Sequence, residues 1–384
     1  MRKILVLAIA ALVAFGCVYE FEPDIRTDDA KGLVVEGDIL IGDVSSFTLS
    51  SIEPLSGDNV APVRGWVWIE DDAGGEYYPE SSDASDSFSI DMTKASADRK
   101  YRLRIRLATP VAGNSTFYSS EWKEVQKAPV IDDLSFTWSD DIYIDPYVHL
   151  WLSLSSVEGS GCFRWDYEEI WEFHSEYLAQ YYYDPVTQKV RSYEGRIPPL
   201  YYCWSYDNSH QAGLAIAKST GGERIADYSF LDIDRRELRM QTLYYIKVKA
   251  RNISEECYEY LHSIEVNSTS TGSLSQPDPS QIIGNIFSDD DPLEVVYGYI
   301  EASRVTETSM FISDLFIPPA EPGGNVPPPV TLSGMLTPLS PADAYLYDLR
   351  PTDSPDIWVN KKCVECTAIG GTKIKPPFWP TPSE

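Results

Sequence analysis

The residues best suited to chemistry in this sequence are a Cys363-Val-Glu-Cys366 pair, four histidines, several carboxylate runs and one dense aromatic stretch. A CxxC serves as a redox pair, half of a zinc site or a structural disulfide. Zinc needs two more ligands at suitable spacing, and the sequence holds neither a second CxxC nor an HxxxH. A thioredoxin-like pair opens a helix, whereas Gly370-Gly371 and Pro376-Pro377 follow this one. A disulfide is therefore expected, either between Cys363 and Cys366 or from this pair to Cys203, with a Cys162–Cys203 bridge as the open alternative. Cys257 shares a helical face with Tyr260, Leu261 and Ile264, and Ser254 stands at the N-cap position, so a buried, inert thiol is expected there.

Aromatic residues are densest from Phe163 to Tyr206. Rings with polar handles suit stacking against sugars or a protein interface. The plainer reading is strand packing, where Tyr and Trp are favoured in any case. Trp165, Trp171, Tyr182 and Trp204 are the candidates for a ligand or partner contact surface. The acidic runs Ser288-Asp-Asp-Asp-Pro292 and Glu70-Asp-Asp72 lack the D-x-[DN]-x-[DN]-G spacing of a calcium loop and read as solvated turns. His149, His174, His210 and His262 form no HExxH or HxH pattern, and neither a G-x-S-x-G elbow nor a phosphate-binding Gly loop is present. No catalytic residue, metal ligand or cofactor is assigned. A carboxylate pair for glycoside hydrolysis is a property of the fold and cannot be chosen among so many acidic residues.

These residues sit in a chain of 384, with 31 basic and 59 acidic side chains and a formal net charge of −28. So acidic a chain lacks the clustered cations that nucleic-acid backbones require. At 43% hydrophobic and 12% aromatic it is no disordered acidic tail.

Residues 1–17 read MRKILVLAIAALVAFGC. Arg2 and Lys3 precede an apolar run from Ile4 to Phe15, shorter than the ~20 residues needed to span a bilayer. The run fits a secretory signal peptide, residues 1–16, and Ala14-Phe-Gly-Cys17 resembles a bacterial lipobox, in which Cys17 carries the lipid. Residues 17–30 are then a tether, with Glu20, Glu22 and Asp24 resembling a surface-export signal.

Alternation with period two dominates the remainder. Tyr101, Leu103, Ile105 and Leu107 take one face and Arg102, Arg104 and Arg106 the other. Val148 to Leu154 and Tyr244 to Val248 alternate likewise, and shorter strands are expected at 33–36, 46–49, 65–70, 87–90, 295–301 and 310–313. The fold expected is mainly β. Residues 31–127 form a first β-sandwich of Ig-like or transthyretin-like size, and 131–315 a larger second one with the aromatic insertion and a short helix. The segment 316–384 is a Pro-rich wrap that excludes regular helix and central strand; from Pro318 to Pro382 it holds 14 of the 27 prolines.

Several pieces resemble a Bacteroidota outer-membrane lipoprotein family catalogued as domain of unknown function 4249. They are Cys17, Leu33-Val-Val-Glu-Gly37, Trp66 to Tyr78, Tyr101 to Leu107, Ile283-Gly-Asn-Ile286, Val296-Tyr-Gly-Tyr-Ile-Glu-Ala-Ser303, Cys363-Val-Glu-Cys366, Gly370-Gly-Thr372 and Pro377-Phe-Trp379. The resemblance implies a lipoprotein of the outer membrane that accompanies a TonB-dependent transporter, with no catalytic residue to carry over. The function expected is binding; a stand-alone glycan-binding lipoprotein and a hydrolase are the alternatives. The expected partners are the membrane, through the lipid, then a transporter and a glycan or peptide ligand.

Overall fold

Alternation sets the architecture because a strand with one apolar face must bury it against another sheet. A computed structural model describes residues 32–52, 62–111, 115–156, 161–208 (except 185, 188, 195 and 198), 215–269, 282, 284–313, 330–331, 347–348, 357–359 and 361–380. Cys17, the signal segment, the tether and most of 316–360 lie outside the described residues.

The chain is mainly β, in two sandwiches. The first is built from β1 (Leu33–Gly37), β2 (Ile39–Ile41), β3 (Val44–Ser51), β4 (Gly65–Asp71), β5 (Glu76–Tyr77), β6 (Ser87–Asp91), β7 (Lys100–Leu107), β8 (Phe117–Ser120) and β9 (Lys123–Glu124). The chain continues through β10 (Val130–Trp138), β11 (Tyr147–Ser155), β12 (Cys162–His174), β13 (Tyr181–Asp184), β14 (Lys189–Ser192), β15 (Tyr202–Asn208), β16 (Ile216–Lys218), β17 (Arg224–Asp234) and β18 (Leu243–Ile253), of which all but β13 and β14 belong to the second. Helix α1 (Glu255–Thr269) follows, then β19 (Ile286–Ser288), β20 (Val296–Tyr297) and β21 (Ala302–Ser313). The backbone N–H of Cys257 donates to Ser254 Oγ at 3.2 Å, so the N-cap and the buried face of α1 are as the sequence indicates.

In the first sandwich the sheet β20-β1-β3-β6 faces the sheet β19-β8-β7-β4-β5, with β9 beside β7. Leu33, Phe47, Val67, Ile69, Ile90, Leu103 and Ile105 share its core. In the second, β10-β11-β17 faces β15-β12-β18-β21-β2, with β16 beside β12. Its core joins Val148, Leu150, Leu152 and Leu154 to Phe163, Trp165, Tyr167, Ile246 and Val248.

The domain boundary differs from the one expected at 127–131. After α1 the chain returns to the first sandwich: β19 pairs with β8, β20 runs parallel to β1, and Ile286, Val296 and Ile300 enter the first core. The expected strand 295–301 is cut short at Gly298 (φ +143°), where a Cβ would stand 2.3 Å from the Val35 carbonyl oxygen. Only glycine fits this close crossing. β2 extends the second sandwich by pairing in parallel with β21, yet Ile39 and Ile41 point into the first core. One short strand thus belongs to both units.

The Pro-rich segment contributes three short strands, β22 (Val330–Thr331), β23 (Tyr347–Asp348) and β24 (Ile357–Val359), none of which contains proline. They join β13 and β14 in a small sheet in which β24 lies between β23 and β22, against the expected absence of a central strand. Beyond them, α2 (Lys361–Val364) and a 3-10 turn at Cys366–Ile369 lead into a strap along the second sandwich.

Candidate functional site

The site follows from the length of β12. Along this strand Phe163, Trp165 and Tyr167 face inward and are covered by the opposing sheet. The same face continues through Glu169, Trp171 and Phe173, toward the strand's end. There the turn after β17, Arg235 to Gln241, caps the sandwich in place of a strand. A cleft of about 680 Å³ opens between them. Trp171, Phe173 and Leu238 give it an apolar floor, Ile369 arrives from the C-terminal 3-10 turn, and Ser205, Asp207, Asp234, Arg236, Glu237 and Arg239 make the rim. Ser205 of β15 and Tyr244 of β18 stand opposite Trp171 on either side.

The rim is held by its own ion pairs. Arg239 reaches Glu237 at 2.7 Å and Glu169 at 2.8 Å, and the Tyr244 hydroxyl donates to Glu169 at 2.7 Å. Burial alone would lower the Arg239 pKa, but these two carboxylates outweigh it and raise it. Burial, reinforced by Glu169, raises Tyr244 well above the usual phenol range. Arg236 Nε donates to both Asp234 carboxylate oxygens, at 2.9 and 3.1 Å, and this bonding keeps the Asp234 carboxyl below its ordinary pKa. Asp207 meets no cation among the described residues; its Oδ1 accepts the Asn208 backbone N–H at 2.8 Å. The cleft therefore offers ring faces, a carboxylate and fixed guanidinium donors, which suit a ligand with apolar faces and a hydroxylated edge.

Of the four contact candidates, Trp171 alone lines the cleft. Trp165 is 2% exposed and packs edge-on against Tyr228, so it is core and no contact surface. Trp204 lies on the opposite face of the sheet, 8% exposed, because the strap covers it with Trp379. Tyr182 packs on Tyr193, with ring centroids 4.8 Å apart, and on the cluster of Ala179, Cys363 and Val364. The disulfide joins Cys203 to Cys366. Neither a Cys363–Cys366 nor a Cys162–Cys203 bridge forms; Cys162, Cys257 and Cys363 are buried thiols. Their clusters explain this, since Cys363 faces Ala179 and Val364, while Cys366 faces Cys203 and Phe173.

The strap is fastened at four points besides the disulfide. Thr372 and Trp204 exchange backbone hydrogen bonds at 2.8 and 2.9 Å, Tyr206 donates to the Ile374 carbonyl, Lys373 to the Tyr202 carbonyl, and the Trp379 indole to Glu172 at 2.8 Å. Gly371 permits the approach: a Cβ there would lie 2.5 Å from Cys203 Cβ and 2.7 Å from Phe173.

The acidic turns are structural. Asp71 Oδ1 accepts the Ala73 and Gly75 N–H groups, and Ser288 Oγ those of Asp290 and Asp291. Among the described residues no three His, Cys, Asp or Glu side chains gather as a metal set. The segment Asp234 to Arg239, which supplies most of the rim, is no candidate by motif, yet it carries a visible signal: five charged residues in six, beginning on the last residue of β17.

Fold and cleft together define a tandem β-sandwich protein with an aromatic-floored surface cleft. The chain belongs to the family described as Domain of unknown function (DUF4249), matched over residues 18–309. That match takes in every cleft residue except Ile369, and the Cys363–Cys366 and Trp379 pieces lie beyond it. No curated protein matches the chain. Among solved structures, a two-domain fibronectin type-III segment of chicken tenascin is 10% identical, with a TM-score of 0.16, covering 58% of this chain and 91% of that one. The B domain of a biofilm associated protein is 10% identical, with a TM-score of 0.12, covering 73% and 86%. Neither likeness bears on the site.

Proposed function

We propose that this protein is a lipid-anchored binding protein of the bacterial outer membrane that captures a carbohydrate in the Trp171 cleft and works beside a TonB-dependent transporter. The observation that carries the binding reading is the cleft itself: Trp171 and Phe173 form its floor and a self-paired polar rim surrounds them. Sugars present an apolar face to a ring and hydroxyls to a rim, and rim groups already fixed lose little freedom on binding. Cys17 in the lipobox-like segment supplies the anchor. A lipid holds the protein in two dimensions and raises its effective concentration at a membrane partner.

Hydrolysis fits less well. An acid–base pair needs carboxylates free to take up and release a proton. Here Asp234 is held by Arg236, and Glu169 and Glu237 by Arg239, so that of the carboxylates lining the cleft Asp207 alone meets no cation among the described residues.

Affinity electrophoresis through gels containing neutral polysaccharides tests the cleft. Retardation of the protein, relieved in Trp171→Ala by a loss of about 2 kcal/mol, roughly 30-fold in Kd, is the expected result. Unchanged mobility of wild type in every gel would count against it. Palmitate labelling tests the anchor, and label that persists in Cys17→Ala would refute it. Recovery of a β-barrel transporter with the detergent-solubilised protein tests the partner.

A further inference from the structure

The outward face of the sheet β19-β8-β7-β4-β5 carries chemistry that the cleft does not use. Arg102, Arg104 and Arg106 project from β7, opposite Glu70, Trp68 and Trp66 of β4. Phe117 of β8 stands opposite Arg106, and Phe287 of β19 opposite Ser119, which itself faces Arg104. Arginine and ring alternate in contact: Arg106 lies 4.1 Å over Trp66, Arg104 5.7 Å over Trp68 and Arg102 4.5 Å over Trp122. Tyr78 stacks on Trp68, with centroids 6.3 Å apart and planes 19° from parallel. Tyr78, Phe117, Trp122 and Phe287 remain between 38% and 58% exposed.

The rings beneath are fixed. The Trp66 indole donates to the Ser82 carbonyl at 3.0 Å and that of Trp68 to Glu70 at 3.2 Å. Two of the three cations are neutralised, Arg102 by Glu70 at 2.6 Å and Arg104 by Asp289 at 3.1 Å. Arg106 meets no carboxylate among the described residues, so this face can receive one anion locally although the chain as a whole, at −28, repels polyanions. Its contact with Trp66 leaves the edge of the guanidinium fork open to an anion.

We propose that this face binds an acidic polysaccharide, its sugar rings lying on Trp122, Tyr78 and Phe117 and one carboxylate or sulfate received by Arg106. The exposed rings follow β7 along its length: Trp122 lies at Arg102, Tyr78 on Trp68 opposite Arg104, and Phe117 opposite Arg106. That spacing suits a long repeating ligand better than a folded partner, whose anchors cluster. The site is independent of the Trp171 cleft.

Affinity electrophoresis of the detergent-solubilised protein in polygalacturonate tests it, with the same polymer fully methyl-esterified as the uncharged control. The expected result is retardation by the acid polymer and not by the ester. Arg106→Gln and Trp122→Ala should each weaken it about tenfold, with thermal melting confirming that both fold, and Trp171→Ala should leave it unchanged. Equal retardation by the ester, no retardation at all, or wild-type behaviour of both variants would overturn the proposal. So would loss in Trp171→Ala alone, which places the polymer in the cleft. Concentration-dependent dimerisation that Trp122→Ala abolishes, in place of polymer binding, would assign the face to contact between two copies.

Discussion

Asp38 is one of the residues on which the two sandwiches meet. It precedes β2, the shared strand, and accepts from Arg251 at 2.8 Å and Arg164 at 2.7 Å, both from the second sandwich. Arg251 also holds Asp166. The Asp38 and Arg251 side chains are each 3% exposed. Burial alone would lower the Arg251 pKa, but Asp166 and Asp38 raise it. Removing one member of so buried a pair strands the other charge, so Asp38→Ala should cost about 3–5 kcal/mol in urea unfolding. The double variant Asp38→Ala/Arg251→Met should recover most of that, and a single-variant loss under about 1 kcal/mol would show that the network carries no weight. His149 makes a second, milder prediction. Asp145 at 2.8 Å and Asp232 at 2.7 Å raise its pKa against a smaller desolvation effect. A raised folded pKa gives stability that is complete below the unfolded value of about 6.5 and fades as pH rises through the folded value. His149→Gln should therefore lower the melting temperature more at about pH 5.5 than at about pH 8.5, and an equal loss at both would contradict this.

At the scale of elements, β12 decides what the aromatic stretch does. Its alternation is legible in the sequence, and it puts Trp165 and Trp171 on one face. How far the opposing sheet covers that face is not, because cover depends on where strands distant in sequence end. Trp165 falls under the cover and Trp171 beyond it. Trp204 was hidden for the same kind of reason, since the strap that covers it comes from residues 371–380. Cysteine spacing placed a disulfide near Cys363 and Cys366 but could not choose the partner, because that depends on which way two adjacent turns face. The Cys203–Cys366 bond closes a separation of 163 residues and pins the strap. Cys366→Ser should cost about 2–5 kcal/mol, expose residues 371–380 to protease and, through Ile369, loosen the cleft. Protease resistance equal to wild type would mean that Trp379 and the backbone bonds suffice.

At the scale of the whole molecule, two sandwiches were readable from the repetition of strands and turns. The return of residues 284–302 to the first core was not. That segment pairs with β1 and β8, more than 160 residues earlier, and its own pattern is broken by Gly298. The two units are thus joined by chain crossing in both directions and by β2, and not by a single linker. The net charge of −28 disfavours contact between the protein surface and an anionic membrane, so in the proposed function attachment falls to the lipid on Cys17. Carbohydrate binding in the Trp171 cleft is the function on which the rest depends. Isothermal titration of the purified protein with a panel of neutral oligosaccharides tests it most directly. At least one sugar should bind with one-to-one stoichiometry, and Trp171→Ala should weaken that binding roughly 30-fold. No binding across the panel, or equal affinity in wild type and Trp171→Ala, would contradict the claim.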